Sequence, residues 1–460
     1  VDSLVPSLSG VAAVSGVAAV SGVAAVSGVR ALSGAAVPAS DIGSSELGQT
    51  GWVPSTLPDG DPVPADGSLP AQAYDGMADR SLSLYLHVPF CATRCGYCDF
   101  NTYTAGELGS AASPASWLSA ALTEIDMAAD VLVAGGTHRP VSTVFVGGGT
   151  PSLVGDGPLT LLLDAVRDRI GLAADAEVTT EANPESTDPA LLDALRAAGY
   201  TRLSLGMQSS SPRVLQILDR THTAGRALQV AGWARAAGFE HVNLDLIYGT
   251  PGETDAEFCD SLQAALGSGV DHVSAYSLIV EPGTRLARQV RSGALPLPDD
   301  DVLADRYLLA EAALTAAGMS WYEVSNWAAD PGARCRHNLA YWTGGDWWGV
   351  GPGAHSHVGG VRWWNVKHPA GYAAALSGGR SPGHAREILD HDARRMEDIL
   401  LRLRLSAGIR ADLLTPAGTA TAEAAVTDGL LEPDRWAAGR AVLTLLGRLL
   451  ADGIAMRLVD

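Results

Sequence analysis

The chain has 460 residues, 47% of them hydrophobic and 18% charged, a balance that fits a globular protein long enough for two or three domains. Its 51 acidic residues against 31 basic ones give a net charge of −20, which argues against the basic surface a nucleic-acid binder needs. No run of about 18 uninterrupted apolar residues occurs, so no membrane span is expected.

Residues 1–79 differ in texture from the rest. Val-Ala-Ala-Val-Ser-Gly recurs from Val11 and degenerates near Ala36, and a Pro/Asp/Gly-rich stretch runs from Leu57 to Pro70. Neither segment carries enough large hydrophobic residues to bury a core, so the whole extension is expected to be disordered. A targeting peptide is excluded because no basic region precedes the repeat and Ser-Gly interrupts every apolar stretch. The chain opens on Val1, and the repeat fits upstream sequence read through from a misplaced start.

From Ser81 onward, short apolar runs alternate with Ala/Leu-rich helical patterns. Strands are expected at Leu82–Val88, Ser142–Val146, Glu177–Glu181, Arg202–Leu205, His241–Ile247 and His272–Leu278. Helices are expected at Pro114–Asp130, Pro158–Ile170, Pro189–Ala198, Ala224–Ala237 and Asp255–Gly267. Gly199, Gly238 and Gly269 follow helix ends, as C-terminal caps do. Repeated β-α units imply an α/β fold with a parallel sheet and right-handed crossovers, and six units make an open, partial (β/α)6 barrel. Functional groups should then lie at the C-terminal strand ends.

The first of those ends carries His87-Val-Pro-Phe-Cys-Ala-Thr-Arg-Cys-Gly-Tyr-Cys-Asp-Phe100, with thiols at Cys91, Cys95 and Cys98. A closed structural zinc site takes four ligands. A 4Fe–4S cube on three cysteines keeps one iron open to a substrate or cofactor. His87 completing a Cys3His zinc site is the competing reading. Five cysteines in the chain, three of them clustered, is the usage of a reducing compartment and points to the cytoplasm. Cys259 and Cys335 read as a core and a loop residue.

Further strand ends carry Gly147-Gly-Gly-Thr-Pro151, Glu181-Ala-Asn-Pro-Glu185 and Gly206-Met-Gln208, and two more candidate motifs are Leu218-Asp-Arg220 and Asp245-Leu-Ile-Tyr-Gly249. Three glycines let a backbone approach a ligand closely and expose N–H groups, although an ordinary turn has the same composition. Glu181 is either a ligand-holding carboxylate or a helix-start charge. Arg220 has the planar fork that suits a carboxylate. Asp245 lies inside an apolar strand and needs partners, as a site residue or as a structural hub.

In this order and at these separations, the motifs resemble the coproporphyrinogen-III-oxidase-like branch of radical SAM proteins, and within it the HemW heme chaperone group, over about residues 80–460. The resemblance implies a radical SAM core at 80–385 and a small, mostly helical, winged-helix-like domain at 386–460. It implies a 4Fe–4S cluster on Cys91, Cys95 and Cys98. It also implies an S-adenosylmethionine (SAM) site lined by Tyr85, Tyr97, Gly148, Gly149, Thr150, Glu181, Gln208, Arg220 and Asp245. Oxygen-independent coproporphyrinogen dehydrogenases carry another Cys two residues after the third ligand, where this chain has Phe100. They also have an N-terminal cover over the substrate, and this chain has only the low-complexity extension there. Arg336-His-Asn-Leu-Ala-Tyr-Trp342 resembles the heme-associated signature of the chaperones and makes His337 and Tyr341 candidate heme contacts, with Trp342, Trp347 and Trp348 as an apolar wall. The expectation is a heme carrier whose partners are heme, a heme-acceptor protein and, if it self-associates, a second copy of the chain. The rival is a decarboxylase of coproporphyrinogen III.

Overall fold

Twelve strands form one sheet. A computed structural model describes residues 60–110, 112–136 and 139–459; the repeat from Val11 to Ala36 lies outside the described residues. The six expected strands are present as β1 (Leu82–Val88), β2 (Val141–Gly148), β3 (Leu172–Ala182), β4 (Arg202–Gln208), β5 (His241–Tyr248) and β6 (His272–Ser277). They pair in sequence order and all in parallel. The helices Pro114–Val133, Asp156–Arg169, Pro189–Ala198, Arg226–Ala236 and Asp255–Gly267 return the chain between them.

The strand pattern explains why this sheet curls around a lined interior. Leu84, Leu86, Val144, Val146, Leu203, Leu205, Leu244 and Leu246 are fully buried and belong to the main hydrophobic core. The residues between them, such as Tyr85, Glu181, Ser204, Asn243 and Asp245, line a central cavity instead. Side chains alternate between faces along a strand, so a period of two separates an apolar outer face from a polar inner one.

The sheet exceeds the six expected strands on both flanks. β7 (Ser320–Glu323) and β8 (Asn326–Ala328) extend it antiparallel beyond β6. On the other side β9 (Asp346–Val350) runs parallel to β1, followed by antiparallel β10 (His355–Val358), β11 (Val361–Asn365) and β12 (Gly383–Ile388). Gly359 and Gly360 join β10 to β11 with φ of 56° and 79°, the left-handed pair that a two-residue hairpin loop requires.

Residues 60–79, expected to be disordered with the rest of the extension, are packed on the sheet. Asp61 and Arg386 exchange backbone hydrogen bonds of 2.7 and 2.8 Å, and the Ser381 amide donates to the Ala65 carbonyl. Ala73 and Met77 are buried. Backbone pairing to β12, more than apolar content, ties this arm down. Beside it, Asp346 is fully buried and bridges Arg80 at 2.9 Å and Arg139 at 2.8 Å, and such a charge is tolerable only when paired this way.

From the end of helix His391–Arg402 onward, residues from Ile399 to Val459 build a second hydrophobic cluster of their own. It holds helices Pro416–Thr427 and Ala451–Val459 and a short ribbon, Ile409–Arg410 with Arg440–Ala441. This mostly helical unit is tied to the barrel by the Arg448–Glu311 ion pair at 2.8 Å.

One buried acid makes the fold pH-sensitive. Glu124 accepts from the Gly351 amide (2.8 Å), Asn365 Nδ2 (2.8 Å) and Tyr372 Oη (2.5 Å). Burial outweighs these bonds and pushes its carboxyl from 4.5 up to about 7. The folded state therefore holds a proton that the unfolded state loses between these two values. Glu124's contribution to stability is full below the lower value and falls as the pH rises through the higher one. Relative to Glu124→Gln, the wild-type chain is expected to lose thermal stability as the pH rises from about 5 to about 8. A melting-temperature gap that does not change with pH contradicts this.

Candidate cofactor site at the barrel mouth

The loop after β1 carries the three cysteines, and all three thiols are free and partly exposed. Its backbone is pinned by Cys91 N to Tyr103 O (3.0 Å), Gly96 N to Leu218 O (3.1 Å) and Cys98 N to Cys95 O (3.3 Å). Thr150 Oγ1 points at Cys91 Sγ (3.8 Å), and Arg220 Nη1 at Cys95 Sγ (3.4 Å). Burial raises the Cys91 thiol and pushes Cys98 up to about 12. Bare, these two stay protonated, and they become thiolates only beside compensating positive charge, the condition a metal ligand meets. His87 does not complete a zinc site, because its Nδ1 faces Tyr85 Oη at 3.0 Å and its Nε2 the Asn101 carbonyl at 2.9 Å. Three thiols on one loop, with Arg220 and Thr150 at two sulfurs and an open side toward the cavity, fit a cube with one free corner.

That cavity measures about 1150 Å³ and is lined by Tyr85, Tyr97, Gly148, Gly149, Thr150, Glu181, Gln208, Arg220 and Asp245 together with the three cysteines. The structure thus gathers every sequence-derived candidate except His337 and Tyr341 around one space. The glycine loop works differently from the expectation. Gly149 N donates to Val88 O (2.7 Å), Thr150 N to Phe90 O (2.8 Å) and Gly148 N to Glu181 Oε2 (3.0 Å). These amides are committed inside the protein. A Cβ at Gly149 would come within 2.5 Å of the Phe90 carbonyl oxygen, so the glycine serves the close packing of this loop on the root of the cysteine loop.

Burial, reinforced by the neighbouring Asp245, pushes Glu181 up to about 8. Gln208 stands at φ 62° where β4 bulges against β5, a strained non-glycine conformation of the kind that collects at binding sites. The bulge lets Arg220 Nη2 reach the Gly206 carbonyl at 2.9 Å, while Arg220 Nε is buried without a partner. Asp245 is both hub and lining residue. It accepts from Ser204 Oγ (3.0 Å) and Asn243 Nδ2 (2.7 Å), and Asn243 Oδ1 faces His272 Nδ1 at 2.7 Å. Burial raises its pKa against these bonds. Ser204, Asn243, His272 and Ser274 were missed as lining residues, although their polar side chains interrupt apolar strands at alternate positions, as Asp245 does.

His337 and Tyr341 lie behind the lining. Helix Arg336–Trp342 packs under the barrel, where His337 Nδ1 meets Thr143 Oγ1 (2.8 Å) and its Nε2 meets Tyr341 Oη (3.1 Å). His337 has no exposed surface, and burial lowers its imidazole to about 3. Both nitrogens are taken, and Tyr341 stacks edge-on against Trp347. The same helix presents Asn338 and Trp342 to the cavity instead. Trp347 and Trp348 are core residues, and the expected loop residue Cys335 is buried.

A parallel β/α barrel with a three-cysteine loop at its C-terminal rim defines a radical SAM protein, and residues 85–265 match the radical SAM superfamily. Similarity to solved structures includes coproporphyrinogen III oxidase (HemN) from Escherichia coli, described as a radical SAM enzyme. That likeness has a TM-score of 0.72 and 26% identity, and covers 85% of this chain and 92% of that one. The chain is also 57% identical to the heme chaperone HemW of Mycobacterium tuberculosis over 383 residues, 83% of this chain and 96% of the relative. It is 40% identical to the heme chaperone HemW of Escherichia coli over 298 residues, 63% of this chain and 75% of the relative. The chain belongs to the HemW heme chaperone family of radical SAM proteins.

Proposed function

We propose that this protein is a cytosolic 4Fe–4S, SAM-binding heme carrier that binds heme and passes it to an acceptor protein. One observation carries the reading: the cavity that gathers the three thiols and the SAM-type lining residues has Phe100 in its wall, where decarboxylating relatives are expected to place a fourth cysteine. The 57% identity to a heme chaperone supports it. Cys91, Cys95 and Cys98 would hold the cluster, which when bound supplies an open iron for the amino and carboxylate groups of SAM. Arg220 offers its fork to a carboxylate and its charge to the Cys95 sulfur. Glu181 and Asp245 bring two carboxyl groups to the inner wall, which a bound cation such as a sulfonium would favour in their ionised form. Tyr85 and Tyr97 add aromatic wall.

Asp245→Ala and Arg220→Ala should each weaken SAM binding roughly tenfold, the scale of one lost charged hydrogen bond, while the cluster is kept. Equilibrium binding to anaerobically reconstituted protein checks this, and unchanged affinity in both variants removes these residues from the SAM site.

We place heme in the cavity and assign His337 and Tyr341 to the barrel floor. The His337→Ala, Tyr341→Phe double variant should then melt at a lower temperature yet bind heme at unchanged stoichiometry. Loss of heme from a double variant that remains folded would return the ligand to that helix. The decarboxylase reading is the rival, favoured by the structural likeness to coproporphyrinogen III oxidase.

A further inference from the structure

The chain contains a single lysine, Lys367; every other basic position among its 31 Lys and Arg residues is arginine. That lysine lies between β11 and helix Pro369–Ser377 and lines the cavity. Its own carbonyl accepts from Asn101 Nδ2 (2.8 Å) and Tyr103 Oη (3.3 Å), so its backbone is fastened to the segment that follows the three cysteines. Its side chain is exposed. Of the arginines that line the same cavity, Arg94 pairs with Glu107 and the Thr102 carbonyl and Arg404 with Asp452, while Arg202, paired with Glu177, and Arg220, held by Gly206 and Cys95, each keep one buried nitrogen without a partner. Among the described residues Lys367 forms no ion pair, and Asp99 lines the same cavity. The rest of the lining is rich in acid, with Glu181, Asp245 and Glu281. Lys367 is the exposed cation of this lining that has no ion-pair partner among the described residues, so an anionic group at the cavity's exposed edge is favoured beside it.

We propose that the Lys367 ammonium binds a propionate carboxylate of the tetrapyrrole, fixing the macrocycle with its anionic edge at the cavity mouth and its apolar body inward. This rests on the heme-carrier reading and names the contact that orients the cargo. An ammonium on a flexible stem suits this role, since it follows a mobile carboxylate as a point charge without needing the bidentate geometry of arginine.

The experiment uses the full chain, reconstituted anaerobically and loaded with heme. A water-soluble carbodiimide activates the propionate, the Lys367 amine displaces the urea, and an amide forms. Peptide mass spectrometry should then find heme on the Lys367 peptide. Lys367→Gln should lose that adduct and bind heme about three- to fivefold more weakly, the scale of one exposed ion pair, while Lys367→Arg keeps the affinity. The iron porphyrin dimethyl ester should bind wild-type and Lys367→Gln protein equally. Heme that binds the wild type but gives no adduct at Lys367, or a Lys367–Asp99 amide in its place, overturns this contact and leaves the carrier reading standing. So does an unchanged affinity in Lys367→Gln. A wild-type protein that takes up no heme overturns both.

Discussion

Replacing Cys95 with alanine is expected to abolish the iron–sulfur absorbance of anaerobically reconstituted protein, whereas the unaltered chain should hold about four irons. The expectation follows from geometry. Cys95 is the middle thiol of the loop, and Arg220 approaches its sulfur at 3.4 Å. No substitute is at hand among the described residues. His87 has both ring nitrogens engaged, Cys335 lines the cavity on a separate segment with its sulfur against Glu177 and Asn338, and Cys259 belongs to helix Asp255–Gly267. A Cys259→Ser control should keep the full cluster. Unchanged absorbance in Cys95→Ala, or tightly bound zinc without iron in the wild type, contradicts the assignment.

What could be read from the sequence, and what could not, has physical reasons. β1 and helices Pro189–Ala198 and Asp255–Gly267 have the boundaries expected for them, because proline or a capping residue opens each helix and strong β-formers fill the strand. The site was legible where chemistry is carried by rare residue types, as with the three cysteines and Arg220. It was poorly legible where polar residues act as a layer. Ser204, Asn243 and Ser274 look ordinary one by one and become a network only when β4, β5 and β6 stand side by side. The flanking strands β9 to β11 were missed because Trp347 and Trp348 suggested a ligand wall, whereas Val358-Gly-Gly-Val361 was a hairpin signal. His337 and Tyr341 follow another local rule. A histidine four residues before a tyrosine on one helix brings the two side chains together, and here they satisfy each other at 3.1 Å.

The larger expectation concerns what the cavity does with a tetrapyrrole. Phe100 brings an apolar ring, not a thiol, to the wall that also holds the three cysteines. Burying an apolar face of heme against such a wall is favourable at roughly 25 cal/mol per Å², and Phe100 adds no proton or electron chemistry of its own. Stable, stoichiometric heme binding is therefore expected, with release to an acceptor and without oxidation of a propionate. Phe100→Cys should not by itself create a decarboxylase, because one added thiol leaves the other lining residues of the cavity as they are.

The most direct test gives anaerobically reconstituted protein, SAM and a reductant two substrates in parallel: heme with an apo-acceptor, and coproporphyrinogen III. The account predicts that heme appears on the acceptor while coproporphyrinogen III is recovered intact. Multiple-turnover formation of protoporphyrinogen IX, with no heme transferred, would contradict it.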